Sequence, residues 1–280
     1  MRAILGLALV GVLVLGSGRQ AAACGPESDC VLGDRHYRIR MPAGHNGAAR
    51  VGAILYAHGY KGSAAGAMGN AALGAMADRL GVALVAVKSA GDDWTLPGAP
   101  SMGVVPGTDE VAYFDRVRAD VLARFPIDAA RLMVAGFSAG AMMTWTLACA
   151  RGGDYAAFLP MAGTFWRPMP ERCGGPAATV IHIHGTADRI VPLEGRQVED
   201  ARQGSVAEAL AMYARIGEFG PVREAVAGAG ADAGAGALRC EDRHGAGDRL
   251  LRFCLHDGGH SFRAEHVEMG WRVGVEGAGG

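Results

Sequence analysis

Short apolar runs alternate along the chain with longer segments of helical character. Residues 51–57, 82–87, 131–135, 158–162, 179–184 and 250–255 are apolar almost throughout, the pattern of strands covered on both faces. Residues 36–42 alternate apolar with polar instead and read as an edge strand. Between these runs, 64–80, 109–125, 141–148 and 206–219 read as helices. Thr108 stands where an N-cap belongs, with Asp109 and Glu110 behind it, and Pro126 marks the end of that helix. Strands alternating with helices predict an α/β fold with a mostly parallel central sheet and helices on both faces. In open sheets of this kind ligands lie at the carboxyl ends of the strands. The polar residues of most interest fall there: His58 after 51–57, Ser138 after 131–135, Asp188 after 179–184 and His260 after 250–255. Residues 89–106 form a loop rich in Gly, Pro and Asp, and 226–237, nearly all Ala and Gly, read as a flexible excursion.

Composition sets the outer bounds. Half of the 280 residues are hydrophobic, enough for a sizeable core, and the net charge is −1 with no basic or acidic block. That balance argues against nucleic acid as a partner. The first residues read as a signal peptide: Arg2, an apolar run over 3–15, then Ala21-Ala22-Ala23. The run is shorter than the roughly 20 residues a membrane span needs. Residues 1–23 are therefore expected to be removed, 24–280 to form one catalytic domain, and the protein to be secreted or periplasmic. Cleavage after Ala23 would leave Cys24 first, but lipid-anchored cysteines usually follow a leucine three residues earlier, where Ala21 stands. Six cysteines in an exported chain suggest disulfides. Fifteen connectivities exist; pairing of sequence neighbours would give Cys24–Cys30, Cys149–Cys173 and Cys240–Cys254, with buried thiols the alternative for any pair. No Cys-x-x-Cys and no zinc-like spacing occurs, so neither metal nor cofactor is expected.

The chemistry centres on Gly136-Phe137-Ser138-Ala139-Gly140. A strand that turns sharply into a helix lifts a serine hydroxyl clear of the backbone, and glycines leave room for that turn. In a chain with 44 glycines the pentapeptide alone is weak; its place between an apolar strand and an apolar helix strengthens it. An alcohol needs a base to take its proton, and the base needs an orienting carboxylate. Ser138, Asp188 and His260 follow in the order Ser…Asp…His of the α/β-hydrolase arrangement. Asp257 competes as the acid, and His256 and His266 as the base. The oxyanion would be held by the backbone N–H of Ala139, at the helix start, and of Tyr60, in the loop after His58-Gly59. His58, His182 and His184 read as structural. Trp94, Phe137, Phe165 and Trp166 fall near strand ends, where each either lines a substrate pocket or packs in the core.

At these residues the chain resembles secreted α/β-hydrolase esterases of the polyhydroxybutyrate depolymerase-like and feruloyl esterase-like group. The resemblance rests on Leu55-Tyr56-Ala57-His58-Gly59, Asp109 to Phe114, Ile127-Asp128 with Arg131-Leu132, Gly136 to Gly140, His182 to Asp188 with Val191-Pro192, and Gly258-Gly259-His260. It covers roughly Tyr37 to Phe262 and speaks to fold and serine-esterase chemistry more than to substrate. It implies Ser138 as nucleophile, Asp188 as acid and His260 as base, acting on a small-molecule or oligomeric ester. Tyr60 departs from the cysteine that many such proteins carry after the His-Gly pair, which alters the pocket mouth. No separate polymer-binding domain is expected within the 280 residues. A serine peptidase of the prolyl-oligopeptidase-like type, and a non-catalytic binding protein on the same fold, are the alternatives.

Overall fold

The computed structural model describes residues 24–225 and 238–277. The expected signal peptide (1–23) and the Ala/Gly excursion (226–237) lie outside the described residues. In chain order the elements are β1 (Cys30–Leu32), β2 (Arg35–Arg40), β3 (Val51–Ala57), α1 (Ala64–Met68), α2 (Ala71–Leu80), β4 (Ala83–Val87), α3 (Glu110–Arg124), β5 (Ile127–Phe137) and α4 (Ala139–Ala150). There follow β6 (Ala157–Met161), β7 (Thr179–Gly185), β8 (Gln197–Val198), β9 (Ala201–Arg202), α5 (Val206–Ile216), β10 (Arg223–Glu224), β11 (Arg239–His244), β12 (Leu250–His256) and α6 (Ala264–Gly274).

Among the described residues one 10-stranded sheet runs in the order β1-β2-β4-β3-β5-β6-β7-β12-β11-β10. Its middle, from β4 to β12, is parallel, and antiparallel strands flank it on both sides. The chain enters the parallel part at β3, steps outward to β4, then returns and proceeds the other way through β5, β6, β7 and β12. That reversal divides the helices between the two faces. Ile54, Met133 and Leu159 pack with Leu73 and Met76 of α2 and Val267 and Trp271 of α6 on one face. Leu55, Val134 and Phe158 pack with Phe114 and Val117 of α3, Met143 and Trp145 of α4, and Tyr213 of α5 on the other. Successive strand residues point to opposite faces, so a strand covered on both faces is mostly apolar, with any polar residue paired inside the core. This is why the central strands read as largely apolar runs.

Several boundaries differ from the sequence reading. β2 is not an edge, because β1 pairs outside it. The expected helix over 64–80 is two helices: α1 stops at Gly69, and the Asn70 side chain accepts from the N–H groups of Ala72 and Leu73 to start α2. The cap of α3 is Asp109, not Thr108; its carboxylate accepts from Ala112 N at 2.9 Å. Disulfides join Cys24 to Cys30, Cys149 to Cys173 and Cys240 to Cys254. With its sulfur in a disulfide, Cys24 has no thiol for a lipid.

A buried ion pair ties β2 to α3. Arg35 meets Glu110 at 2.7 Å, with the two side chains 6% and 1% exposed, and its guanidinium lies 3.8 Å from the centre of the Tyr113 ring. Removing one partner strands the other charge away from water. Glu110→Ala is therefore expected to lose about 3–5 kcal/mol of stability, measured as a lower urea midpoint at unchanged slope. A loss under about 1 kcal/mol would show that Arg35 finds compensation without its partner.

Candidate active site

Ser138 sits between β5 and α4 with φ 59° and ψ −121°, a region that costs a non-glycine residue about 1–3 kcal/mol. Close packing on all sides holds it there. A Cβ on Gly136 would strike the carbonyl of Gly140 and come within 2.6 Å of the Thr144 hydroxyl. One on Gly140 would strike the carbonyls of Ala57 and His58, at the end of β3. On the other side, Ser138 N donates to Met161 O at 2.9 Å, and a Cβ on Gly163 would come within 2.6 Å of Ser138 O. The turn is thus clamped between the ends of β3 and β6, and only glycine fits at the contact points.

The loop after β12 brings His260 back over the serine. His260 Nε2 lies 2.9 Å from Ser138 Oγ, and Nδ1 lies 2.7 Å from Asp188 Oδ2. The loops after β7 and β12 are stitched together by Thr186 N donating to His256 O and Ala187 N to Gly258 O. The second Asp188 oxygen accepts from the N–H groups of Ile190 and Val191, each at 2.9 Å. Burial pushes the Asp188 carboxyl up, but the hydrogen bonds from His260, Val191 and Ile190 together outweigh it and hold the group below the usual carboxylate range. An ionised Asp188 accepts only, so it fixes the proton on His260 Nδ1 and leaves Nε2 free to accept from the Ser138 hydroxyl. Such an arrangement can remove a proton from an alcohol as that alcohol attacks an electrophile.

Two backbone donors stand beside the serine. Ala139 is the first residue of α4, so its N–H has no partner within the helix. Tyr60 follows Gly59, which packs on the serine itself; a Cβ there would lie 3.5 Å from Ser138 Cβ. Neither N–H has an acceptor among the described residues. His58 pins this loop. Its Nδ1–H donates to Gly59 O at 2.7 Å, its Nε2 accepts from Ser89 N at 3.1 Å, and its carbonyl accepts from the Trp94 indole at 2.9 Å. Burial pushes its pKa down to about 4, so the ring is neutral.

His182 and His184 form a buried chain of neutral rings. The Trp145 indole, which can only donate, gives its proton to His182 Nδ1 at 3.2 Å. His182 Nε2 must then carry the hydrogen that it donates to His184 Nδ1 at 3.0 Å. His184 Nε2–H in turn donates to Val191 O at 2.7 Å and lies 3.5 Å from Asp188 Oδ2. Burial pushes both rings down from the ordinary histidine value.

The competing residues lie elsewhere. Asp257 is exposed and pairs with Arg239 at 2.8 Å. His256 accepts from Gly258 N and packs against His266 with ring centres 5.5 Å apart. Of the suggested pocket walls, Phe137 stacks beside His260, ring centres 4.7 Å apart. Trp94 is 1% exposed and packed between His58 and Phe114, the core-packing alternative, with its indole donating to His58 O. Trp166 lies against Met142 of α4, with Phe165 beside it in the same cavity wall. The sequence reading passed over Gly163 and Phe262. The first was signalled by a small residue directly after an apolar strand. The second, whose ring centre lies 5.9 Å from that of Phe137, carried no signal. No cluster of His, Cys, Asp or Glu suited to a metal ion occurs among the described residues.

No family model matches the chain. It is 29% identical over 224 residues to "Putative esterase NocK" of Nocardia uniformis subsp. tsuyamanensis, a match that covers 74% of this chain but 64% of that protein, less than two thirds of its length. Among solved structures it superposes on an acetyl xylan esterase from Aspergillus awamori with a TM-score of 0.56 at 11% identity, over 89% of this chain and 96% of that one. An S-formylglutathione hydrolase from Agrobacterium tumefaciens gives 0.55 at 14% identity, over 88% and 90%. These likenesses are of fold: the chain has the α/β-hydrolase fold, a mostly parallel sheet with helices on both faces.

The neutral histidines make stability depend on acid. Burial pushes His58 and His266 down to about 4 from 6.5, and His182, His184 and His256 in the same direction. Once unfolded, each takes a proton near pH 6.5. The stability that the neutral rings carry is therefore whole above that pH and lost as pH falls toward 4, by about 1.4 kcal/mol per pH unit for each group still unprotonated. The urea midpoint is expected to drop steeply between pH 6.5 and 4, and less steeply in His266→Gln. A midpoint flat across that window would refute the neutral assignment.

Proposed function

We propose that this chain is an exported serine esterase hydrolysing carboxylic esters. The observation that carries the proposal is the pair of contacts joining Ser138 Oγ to His260 and His260 to Asp188, at 2.9 and 2.7 Å. In the proposed reaction His260 Nε2 takes the hydroxyl proton while Ser138 Oγ attacks the ester carbonyl. The N–H groups of Ala139 and Tyr60 receive the developing oxyanion. His260 then protonates the leaving alcohol, and water activated by the same ring releases the acid from the acyl-enzyme. Asp188 holds the imidazole in the required tautomer and stabilises the imidazolium that forms. The likeness to a protein named as an esterase points the same way.

Export is supported by the three disulfides, which persist in oxidising compartments. No helix among the described residues is long and apolar enough to cross a membrane. Within the class, the motifs that resemble polyhydroxybutyrate depolymerase-like and feruloyl esterase-like proteins point to a small or oligomeric ester as substrate.

The test uses p-nitrophenyl acetate and butyrate, methyl ferulate and a hydroxybutyrate dimer, with a dipeptide amide alongside. Wild type is expected to cleave an ester much faster than the amide. Ser138→Ala is expected to lower kcat/KM by roughly 10⁴-fold or more, and Asp188→Asn by a comparable factor. A fluorophosphonate probe should label wild type and not Ser138→Ala. Activity in Ser138→Ala within tenfold of wild type would sink the mechanism, faster amide cleavage would favour a peptidase, and silence toward every substrate and the probe would favour a binding protein.

A further inference from the structure

We infer that the buried Arg35–Glu110 pair positions the oxyanion donor, fixing the direction of the Tyr60 N–H through two peptide planes and the ring of His58. The inference rests on the esterase reading above, in which that N–H receives the developing charge. Arg35, Glu110 and His58 are positioning residues in this account, because each acts through another group.

A trans peptide unit is planar, with its C=O and N–H pointing in opposite directions. Holding the carbonyl of one residue therefore aims the N–H of the next. The cis peptide among the described residues is Arg167–Pro168, so the Gly59–Tyr60 and Lys88–Ser89 units are both trans. Gly59 O accepts twice, from Gly62 N at 2.9 Å and from His58 Nδ1 at 2.7 Å. Both lone pairs of that carbonyl are thus used, and both donors belong to the loop itself. The Tyr60 N–H must point the other way, out of the loop, where no acceptor among the described residues meets it.

One of the two donors depends on a tautomer. With its hydrogen on Nε2, the imidazole would turn the Nδ1 lone pair toward Gly59 O and push that carbonyl away. Ser89 N prevents this. A backbone N–H only donates, and it meets His58 Nε2 at 3.1 Å, so the ring hydrogen stays on Nδ1. Ser89 N is aimed in turn by its own peptide unit, whose carbonyl, Lys88 O, accepts from Arg35 Nη2 at 2.7 Å. The Lys88 ammonium closes the turn that follows, donating to Ser89 O, Ser89 Oγ and Gly91 O.

Arg35 Nη2 carries a second hydrogen, which goes to Glu110 Oε2 at 2.7 Å. The other Glu110 oxygen accepts from Thr95 N at 3.3 Å. Thr95 follows Trp94, whose indole holds His58 O at 2.9 Å. The pair thus steadies the His58 ring through Ser89 and the His58 backbone through Trp94. A buried ion pair seldom stabilises a fold more than well-packed hydrocarbon of the same volume. Hydrocarbon at 35 and 110 would leave Lys88 O without a donor and Thr95 N without an acceptor, and the direction of the relay would be lost.

The experiment measures kcat and KM for p-nitrophenyl acetate and inhibition by phenylboronic acid. Both are referred to the sites that a fluorophosphonate titrates, which removes the contribution of unfolded enzyme. The boronate adds to a serine as a tetrahedral anion and so reports the oxyanion donors. His58→Gln, whose amide reaches toward Ser89 instead of Gly59 O, should lower kcat about 100-fold, raise the boronate Ki by a similar factor and leave KM within about threefold. His58→Asn, whose amide N–H stands near the Nδ1 position, should recover at least about tenfold of that loss. Arg35→Met/Glu110→Gln keeps an acceptor for Thr95 N but takes the donor from Lys88 O. It should lower kcat about tenfold or more at unchanged KM, and add little when combined with His58→Gln. Arg35→Lys, too short to hold both acceptors, should do the same and decides the matter if the double variant does not fold.

A kcat within about threefold of wild type in both Arg35 variants would overturn the inference, as would a rise in KM at unchanged kcat. Losses that multiply in the combined variant, or that leave the boronate Ki unmoved, would overturn it as well. Equal kcat in His58→Asn and His58→Gln would overturn the role given to the Nδ1 hydrogen. A wild type that neither cleaves the acetate nor takes up fluorophosphonate would instead sink the esterase reading itself, and the positioning role with it.

Discussion

Backbone-to-backbone contact at the β5–α4 turn sets where every other group of the site must go. Gly140 rests on the carbonyls that end β3, and Gly136 rests on Gly140. No side chain keeps these segments apart, so Ser138 is pressed into a positive φ. A strained residue persists only where its surroundings over-determine it, and here they do so from both neighbouring strands. The same contact brings the His58-Gly59-Tyr60 loop against the serine. The two free N–H groups and the hydroxyl are therefore placed by a single packing event. Any residue larger than glycine at 136 or 140 would move them all together.

Charge at the site is managed by keeping most of its surroundings neutral. An ionised Asp188 buried without compensation would be too costly to persist. Two backbone N–H groups and His260 compensate it. His184 adds a third kind of support, because the direction of its hydrogen is settled far away. The Trp145 indole cannot accept, so each ring from His182 onward has its tautomer dictated, and the last N–H points at Val191 O and past it to Asp188. Val191 is thereby held on both sides, its carbonyl by His184 and its N–H by Asp188. A charged ring anywhere in this chain would break the sequence of donors. The burial that keeps the rings neutral also keeps the Asp188 loop in register with His260.

What could be read from the sequence follows from how local each feature is. Strands β3, β4 and β6 are legible because both faces of each are covered by apolar side chains, and β7 because its apolar run is interrupted only by buried histidines. Helix α6 gives a weak signal in the sequence although Ala264, Val267 and Trp271 mark its buried stripe, because the segment is short and its exposed residues are charged. Strand β11 is polar at most positions and is held by pairing with β12, which no local pattern reports. The break at Gly69-Asn70 was hidden by an alanine-rich stretch that favours helix on either side. At the site, Ser138, Asp188 and His260 could be singled out by chain order and by their places after strands. The position of Trp94 could not, since its indole bonds a carbonyl 36 residues away, and that contact exists only once two loops have met.

The segment from Gly163 to Cys173 shows why a wall without secondary structure can still be rigid. It is tied to the β8–β9 region by the Trp166–Gln203 bridge and by Gly204 N donating to Phe165 O and Arg167 N to Arg202 O, which offset part of an ordering cost of about 1–2 kcal/mol per residue in backbone entropy. The disulfide joins residues 24 apart in sequence, and closing a loop of that size in the unfolded chain is worth roughly 3–4 kcal/mol. Where the bond is attached matters as much as its strength. Cys149 lies near the carboxyl end of α4, the helix that Ser138 begins. Tying the wall there makes wall and serine parts of one rigid body, so a movement of α4 carries both.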